Sequence, residues 1–96
     1  MLQFSINKKP ADYEHEIAAR HKIIRKQLKY SQSDLASRSG VSLGSLKRFE
    51  TTGKISLESL LKMADVLNRL QDFEAIFKPI NNLATIEKLF SDKTRK

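Results

Sequence analysis

The sequence predicts an all-α fold, a compact domain of five helices that contains a helix-turn-helix. Apolar residues recur at the three- and four-residue spacing of buried helix faces over most of residues 10–78. Serines that can cap a helix stand directly before three of these segments. We divide the chain into an N-terminal arm or strand at 1–9, a helix-turn-helix domain at 10–78, and a C-terminal extension with a basic tail at 79–96.

Residues 2–7 alternate between apolar and polar side chains, which is the period of a β-strand. A single strand is not stable alone, so this one would pair with the same segment of a second copy. Phe4 is then a candidate for the dimer contact. The other interpretation is a disordered arm that ends in Lys8 and Lys9, and the sequence does not choose between the two.

Helix 1 is predicted from Pro10 to about Leu28, because proline is favoured in the first helical turn. Its inward stripe is predicted to be Ile17, His21, Ile24 and Leu28. A metal site at His21 is disfavoured, because His15 does not lie at the i,i+4 spacing of a helical pair and the chain has no cysteine. We therefore expect His21 to be a partly buried structural residue.

Residues 31–50 predict two short helices joined by a tight turn. Ser31 and Asp34 have the spacing of a capping box, which starts helix 2. Gly40 is expected to end that helix, because glycine adopts positive φ without a steric clash. Ser42 is predicted to cap helix 3.

In helix 3, Leu46 and Phe49 recur at helical spacing and are predicted to face the core. Lys47 and Arg48 then lie on the outer face. Two helices joined in this way form a helix-turn-helix, whose second helix lies in the major groove of DNA. The alternative is an ordinary αα-hairpin of a small bundle, with the two basic residues as a solvated face.

The Ser-Gln-x-x-Leu-Ala…Gly-Val-Ser…aromatic-Glu pattern over residues 31–50 resembles the Cro and phage-repressor class, also called XRE-type regulators. The typed positions keep the spacing of that class without a gap. The resemblance implies a repressor-like DNA-binding domain whose base-reading positions are Leu43, Gly44, Lys47 and Arg48. This sequence lacks the glutamine pair that the family often has at the start of helix 3.

Each of these positions suits a different contact. Arg48 is the best specific reader, because a guanidinium can engage O6 and N7 of guanine together. Lys47 can reach guanine or phosphate, Leu43 can contact a thymine methyl, and Gly44 allows close approach. Ser42 and Ser45 can bond a phosphate or a base edge.

Phosphate contacts are expected on both sides of helix 3. Gln32, with the free N–H groups at the start of helix 2, is expected to hold a phosphate and thereby fix the register of helix 3. The polar loop at 51–54 has hydroxyls, N–H groups and Lys54 suited to phosphate oxygens, with Thr51 among the candidates. The same loop can also be a plain connector.

The resemblance also implies that Arg25 of helix 1 pairs with Glu50 of helix 3. Such a pair would tie the first helix to the recognition helix, and breaking a buried pair is costly because the other charge is left uncompensated. The alternative is that Arg25 and Glu50 are two unrelated surface charges.

Helix 4 is predicted to begin after Ser56 and to end at Asn68, with a core stripe of Leu57, Leu60, Leu61, Ala64 and Leu67. A fifth, short helix is predicted at 71–77, before Pro79. Its apolar residues complete the core or, as the last helix often does in the resembled family, form the two-fold contact. Phe73 and Phe77 are therefore dimer candidates. A short helix at 83–90 and a basic tail follow.

The chain carries 18 Lys and Arg against 11 Asp and Glu, a net charge of +7 that favours polyanionic partners. With no cysteine there is no disulfide or thiolate metal site, and we expect no metal and no cofactor. No Gly-rich phosphate loop or catalytic constellation is present, so an enzyme is not expected. The sequence shows no signal peptide or membrane span, which predicts a soluble, cytoplasmic protein.

The expected function is that of a sequence-specific regulator of transcription. It would bind double-stranded DNA as a homodimer, on a palindromic operator, and act as a repressor in the cytoplasm at the nucleoid. The alternative, which the same resemblance implies, is an antitoxin of the HipB type that binds a kinase-like toxin protein as well as its own promoter.

Overall fold

The computed structural model of the protein describes residues 7–80 and 87–88. Residues 7–80 form no strand, and their elements are α1 (Pro10–Gln27), α2 (Gln32–Ser39), α3 (Leu43–Thr52), α4 (Leu57–Val66) and a short 3₁₀ helix (Leu70–Phe73). The predicted all-α class with a helix-turn-helix is confirmed. Within the described part of the chain, no helix combines the length and apolar character needed to cross a membrane.

Several predictions fall outside the described residues. They concern Phe4 and nearly all of the alternating segment 2–7, most of the helix predicted at 83–90, and the basic tail. The strand, the arm and the C-terminal helix therefore remain predictions.

Serine caps fix where three of the helices begin. The hydroxyl of Ser31 accepts a hydrogen bond from the backbone N–H of Asp34 at 3.0 Å. Ser42 and Ser56 accept in the same way from the residues three positions on, both at 3.1 Å. Each cap satisfies one of the N–H groups that a helix start leaves unpaired, so the predicted caps are confirmed.

Helix ends follow the predicted stop signals. Gly40 after α2 has φ of 79°, and Asn68 after α4 has φ of 64°. Both lie in the left-handed region, which glycine and asparagine tolerate best. Lys29, after α1, has φ of 63°. This helix therefore ends close to its predicted end at Leu28, but the sequence did not identify Lys29 as its left-handed stop residue.

The predicted fifth helix is shorter than expected. Residues 71–77 were expected to form one helix, but the observed element is the single 3₁₀ turn Leu70–Phe73. Its first residue has no side-chain cap, and Phe77 adopts φ of 55°, which is incompatible with a continuing helix. One uncapped turn before Pro79 gains too few hydrogen bonds to propagate as an α-helix.

The core lies where α1 and α4 pack against the helix-turn-helix formed by α2 and α3. Its most completely buried side chains are Leu35, Leu46, Phe49 and Met63. Ala36, which is also buried, keeps α2 close to its neighbours. This packing fixes the underside of α3, so the opposite face of the same helix is turned to solvent.

The inner face of α1 differs from the predicted stripe. Ala18, His21 and Arg25 are buried, whereas Ile17 and Leu28, which were predicted inside, are exposed. The reason is that Arg25 and His21 reach a carboxylate on α3, and this contact turns α1 so that the isoleucine and leucine lie at its edge. In α4, Leu57 was also predicted inside and is 64% exposed, because it is the first residue after the cap.

Candidate nucleic-acid interface

The outer face of α3 is set by the burial of Leu46 and Phe49 on its inner side. The positions on the other side are exposed, and they are Gly44, Ser45, Lys47, Arg48 and Thr51. Ser42, at the start of the helix, is exposed as well. The structure therefore places most of the predicted DNA-contact residues along one solvent-facing side of a single helix.

Leu43 differs from its neighbours on α3. Its side chain is half-buried and packs against the core cluster. Part of this side chain is therefore committed to the interior, and only the remainder can contact a thymine methyl. Its assignment as a base reader stays a prediction.

Gly44 has space in front of it. A Cβ at this position would have no heavy atom within 4 Å outside its own helix backbone and chain neighbours, and its φ is not positive. Neither packing nor backbone conformation within the described chain thus requires glycine at this point of α3. Close approach of an external molecule to the helix backbone is a physical reason for a glycine there.

The two serines at the start of α3 have different capacities for an external partner. Ser42 accepts from the backbone N–H of Ser45 and donates its own proton to Ser45 Oγ at 2.8 Å. The hydroxyl proton of Ser45 has no acceptor among the described residues. Ser45 can thus donate to a phosphate or base edge at once, whereas Ser42 serves chiefly as the helix cap.

Lys47 and Arg48 form no ion pair with any residue in 7–80 or 87–88. Their positive charges lie at the surface of α3 without a carboxylate to neutralise them. Positive charge in this state is available to an anionic partner without first breaking an internal contact.

The end of α3 holds two threonines whose protons are already used. Thr51 Oγ1 donates to the carbonyl of Lys47 at 2.9 Å, and Thr52 Oγ1 donates to that of Arg48 at 2.7 Å. For Thr51 to donate to a phosphate oxygen, its side chain must rotate away from the helix. Its assignment as a phosphate contact remains a prediction.

Lys54 lies in the loop between α3 and α4 and pairs with Glu14 of α1 at 2.9 Å. Both side chains are well exposed, so this pair is weak and a phosphate can compete with the carboxylate. The loop passes close to α1, because a Cβ on Gly53 would lie 2.9 Å from the backbone of Glu14. With φ of 82°, Gly53 is thus required both for the turn and for this approach.

Arg48 and Lys54 both line a polar hollow of about 380 Å³ beside α3. Its other walls come from α1, α3, the loop after α3 and the start of α4, and they are formed by Glu14, Ser45, Ile55, Ser56 and Ser59. The hollow brings the positive charge of Arg48 near the first N–H groups of α4, and this arrangement favours the binding of an anion.

Below α3, the carboxylate of Glu50 collects contacts from two other helices. Arg25 of α1 donates to both of its oxygens, Nε to Oε2 and Nη2 to Oε1, each at 2.9 Å. Gln32 of α2 donates through Nε2 to Oε1 at 3.1 Å, and His21 Nδ1 lies 3.2 Å from Oε2. Arg25 also donates to the carbonyl of Tyr30 at 2.8 Å. We call these five residues the Glu50 network.

The Glu50 network shifts the acid–base properties of its members. Burial opposes ionisation of Glu50, but hydrogen bonds from Arg25 and Gln32 and the charge of Arg25 outweigh it and lower the pKa of the carboxyl group. Burial also lowers the pKa of His21, although Glu50 beside it acts in the opposite direction. The network therefore holds an ionised glutamate and a neutral histidine at neutral pH.

Gln32 was expected to hold a phosphate, and the structure shows it in a different contact. In the structure it is half-buried and its amide nitrogen faces Glu50. The amide group has two protons and an oxygen, so one contact with Glu50 leaves a donor and an acceptor for another partner. A phosphate contact from Gln32 remains a prediction.

The sequence interpretation did not assign His21 to this network. It lies four residues before Arg25 on α1, which places the two side chains on the same face of that helix. That spacing was the signal available in the sequence. The contact of Tyr30 with Arg25 is made by its backbone carbonyl, for which no side-chain pattern exists.

Two of the dimer candidates lie near the end of the chain's described part: Phe73 is the last residue of the 3₁₀ helix, and Phe77 follows four residues later. Phe73 is half-buried, whereas Phe77 is 98% exposed. Ile76 and Ile80 nearby are exposed too. A fully exposed phenylalanine among exposed isoleucines is typical of a surface that another molecule covers.

A family model described as Helix-turn-helix matches residues 22–72, which is more than half of the 96-residue chain. The match spans the second part of α1, the helix-turn-helix and α4. It includes the exposed face of α3 and every member of the Glu50 network except His21, which lies one residue before the match begins. No curated protein and no solved structure is significantly similar to the chain. The chain therefore belongs to the XRE-type helix-turn-helix family, whose members are DNA-binding regulators of transcription.

Proposed function

We propose that the protein is a repressor that binds a specific double-stranded operator by inserting α3 into the major groove. The observation that carries the proposal is the exposed, unpaired positive charge of Lys47 and Arg48 on the outer face of the second helix of a helix-turn-helix. The +7 net charge supports association with a polyanion.

Base reading rests on the residues of that face. Arg48 reads a guanine through a bidentate contact, and Lys47 reaches either guanine or a phosphate. Gly44 lets the helix backbone approach the base edges, which is supported by the space in front of it. Ser45, with its free hydroxyl proton, donates to a nearby acceptor on DNA.

Register is set by phosphate contacts on either side of α3. Lys54 exchanges the carboxylate of Glu14 for a phosphate oxygen in the polar hollow. Gln32 holds a second phosphate at the start of α2 while keeping its contact with Glu50. Because Gln32 of α2 donates to Glu50 of α3, this contact couples the position of α2 to that of the recognition helix.

The protein acts as a homodimer on a palindromic operator. One module of this size touches few base pairs, and two half-sites about one helical turn apart multiply its selectivity. The exposed side chains of Phe77, Ile76 and Ile80 support a contact between two copies at this end of the molecule. Occupancy of a promoter is sufficient for repression. A protein that acts in this way works at the nucleoid, in the cytoplasm.

The same exposed apolar side chains also suit a second candidate function, that of an antitoxin. In that case a kinase-like toxin would cover the surface around Phe77, and promoter binding would regulate the pair. Isolation of the protein from its source cells tests whether it is a simple repressor or an antitoxin. A stoichiometric second protein favours the antitoxin, and a pure homodimer favours the simple repressor.

The decisive experiment for DNA recognition is a titration onto labelled DNA from upstream of the protein's own gene, beside a scrambled duplex of equal length. We expect a preference for the upstream DNA of about 10³ or more that persists when the salt concentration is raised. The mass of the complex should correspond to two copies on one duplex. Equal, strongly salt-dependent binding to both duplexes would contradict the proposal.

A further inference from the structure

Glu14 of α1 brings a negative charge to the polar hollow beside α3. Its carboxylate lies 2.9 Å from Lys54 Nζ, and both side chains line the hollow. Arg48 lines the same hollow, but no carboxylate in the described part of the chain lies within ion-pair distance of its guanidinium. The carboxylate of Glu14 therefore neutralises the lysine and leaves the arginine free.

The backbone of the loop after α3 keeps Lys54 beside Glu14. A Cβ on Gly53 would lie 2.9 Å from backbone and side-chain atoms of Glu14, so the loop touches α1 at this residue. The N–H of Lys54 donates to Thr52 Oγ1 at 3.1 Å, and Thr52 Oγ1 donates to the carbonyl of Arg48 at 2.7 Å. The loop is thus fixed against both α1 and α3.

The pair of Glu14 and Lys54 is weak enough to be exchanged. Its side chains are 39% and 54% exposed, so water screens both charges. A DNA phosphate can therefore displace the carboxylate from Lys54. The displaced carboxylate then stays near the phosphate, and two negative charges at short distance repel each other. A phosphate contact of Lys54 thus requires that the pair is broken and that Glu14 comes close to DNA.

The pair also changes how DNA binding depends on salt. A free lysine that neutralises a phosphate releases about 0.9 of a condensed counterion. The pair of Lys54 and Glu14 has no net charge, so its arrival at a phosphate leaves the local charge unchanged and a cation stays there. Removal of the Glu14 charge should restore the release of this counterion.

We propose that Glu14 limits the affinity of the protein for DNA by competing with the phosphate backbone for Lys54. It acts on a contact that contains no sequence information, and it leaves Arg48, the proposed base reader, unpaired. A larger share of the binding free energy then comes from contacts with bases. This inference rests on the proposed function in that DNA is the partner, but it does not require a sequence preference.

The test compares Glu14→Gln with the unmodified protein on DNA from upstream of the protein's own gene and on a scrambled duplex, over a series of salt concentrations. Glutamine keeps the size of the side chain and removes the charge. At about 0.1 M salt, we expect Glu14→Gln to bind both duplexes about three- to tenfold more tightly. The slope of log K against log salt should steepen by up to about one for each module bound.

Glu16→Gln is the matched control. Glu16 lies two residues further along α1, which places it on nearly the opposite side of the helix, and it too pairs with a lysine, Lys8, at 2.7 Å. This variant changes the net charge by the same amount. At about 0.1 M salt its affinity should stay within about twofold of that of the unmodified protein, because screening weakens distant charges. Thermal unfolding shows whether both variants keep the fold.

A second comparison tests whether the effect of Glu14 requires Lys54. In a Lys54→Ala background, the charge of Glu14 still repels DNA but no longer competes for a lysine. We therefore expect the gain from Glu14→Gln to fall to about twofold or less in that background.

Four results would overturn the proposal. They are equal affinity of Glu14→Gln and the unmodified protein, weaker binding by Glu14→Gln, an unchanged salt slope, and an equal gain with and without Lys54. Each can occur while the unmodified protein prefers the upstream DNA, so the proposed function then stands. Conversely, equal binding of the unmodified protein to both duplexes contradicts the proposed function, and the effect of Glu14 is still measured on the scrambled duplex. Absence of binding to either duplex would contradict both.

Discussion

Arg25 and Glu50 form a two-point ion pair that joins α1 to α3, with Nε to Oε2 and Nη2 to Oε1 both at 2.9 Å. Their side chains are only 7% and 3% exposed. The planar guanidinium matches the carboxylate at both oxygens, which lysine in place of Arg25 could not do. Because Gln32 of α2 contacts the same carboxylate, three helices meet at one charge.

Replacement of Arg25 by alanine should destabilise the fold strongly. It leaves the carboxylate of Glu50 buried with fewer donors, and a broken buried pair costs about 3 to 5 kcal/mol of the free energy of unfolding. Lys26→Ala removes a neighbouring exposed charge on the same helix and should cost less than about 0.5 kcal/mol. Urea denaturation of the two variants checks this, and equal losses would argue against a stabilising pair.

Stability should fall as the pH is lowered below neutrality, and His21 should be one cause. Burial lowers its pKa in the folded state below the ordinary value of 6.5. The unfolded chain then binds the proton more readily, so the contribution of His21 is complete above pH 6.5 and is lost as the pH falls through the folded pKa.

Urea midpoints measured at several pH values between about 7.5 and 5.5 test this linkage. His21→Phe should reduce the slope of stability against pH in that range. His15→Phe, on the exposed side of α1, should retain the slope of the unmodified protein. An unchanged slope in His21→Phe would show that another group causes the loss.

Gly44 and Gly53 should respond in opposite ways to alanine. A Cβ at Gly44 meets no heavy atom within 4 Å, so Gly44→Ala should stabilise α3 by about 0.5 kcal/mol while weakening DNA binding through its methyl group. At Gly53 the Cβ would lie 2.9 Å from Glu14 and φ is 82°, so Gly53→Ala should destabilise the fold by more than about 1 kcal/mol.

Thermal unfolding and DNA titration of both variants separate these effects. If Gly44→Ala binds DNA as tightly as the unmodified protein, the proposal that DNA closely approaches the α3 backbone at Gly44 is wrong.

Phe77→Ser should weaken self-association. The side chain is 98% exposed, beside other exposed apolar residues, and a dimer would bury it. Leu57→Ser is the matched control, since Leu57 is a large exposed apolar residue at the start of α4. Light scattering over a range of protein concentrations gives the dimer dissociation constant. A constant that does not change in Phe77→Ser would place the dimer contact elsewhere.

The helix boundaries could be predicted because local chemistry decides them. Ser31, Ser42 and Ser56 cap helices through contacts with residues three positions away, and Gly40 supplies a positive φ. Neither requires knowledge of the tertiary structure. The single 3₁₀ turn in place of a fifth helix was missed because apolar spacing alone does not show that the turn lacks a cap.

The candidate site could be predicted only in part. The resemblance names Arg25 and Glu50 as partners, but the contact of His21 with the same carboxylate depends on how α1 is rotated against α3. Likewise, the sequence suggests that the hydroxyl of Thr51 is available to a phosphate, but in the structure it donates to the carbonyl of Lys47 in the same helix. The exposed stripe of α3 followed from the burial of Leu46 and Phe49, because one face of a helix determines the other.

The most direct test of DNA reading by α3 compares Arg48→Ala with Lys54→Ala on the preferred duplex, on single base-pair variants of it, and on scrambled DNA. Arg48→Ala should lose about 1 to 3 kcal/mol on the preferred duplex, much less on scrambled DNA, and should relax the preference at one base pair. Lys54→Ala should weaken binding to all of these duplexes alike. Equal losses on preferred and scrambled DNA for Arg48→Ala would contradict sequence reading by this helix.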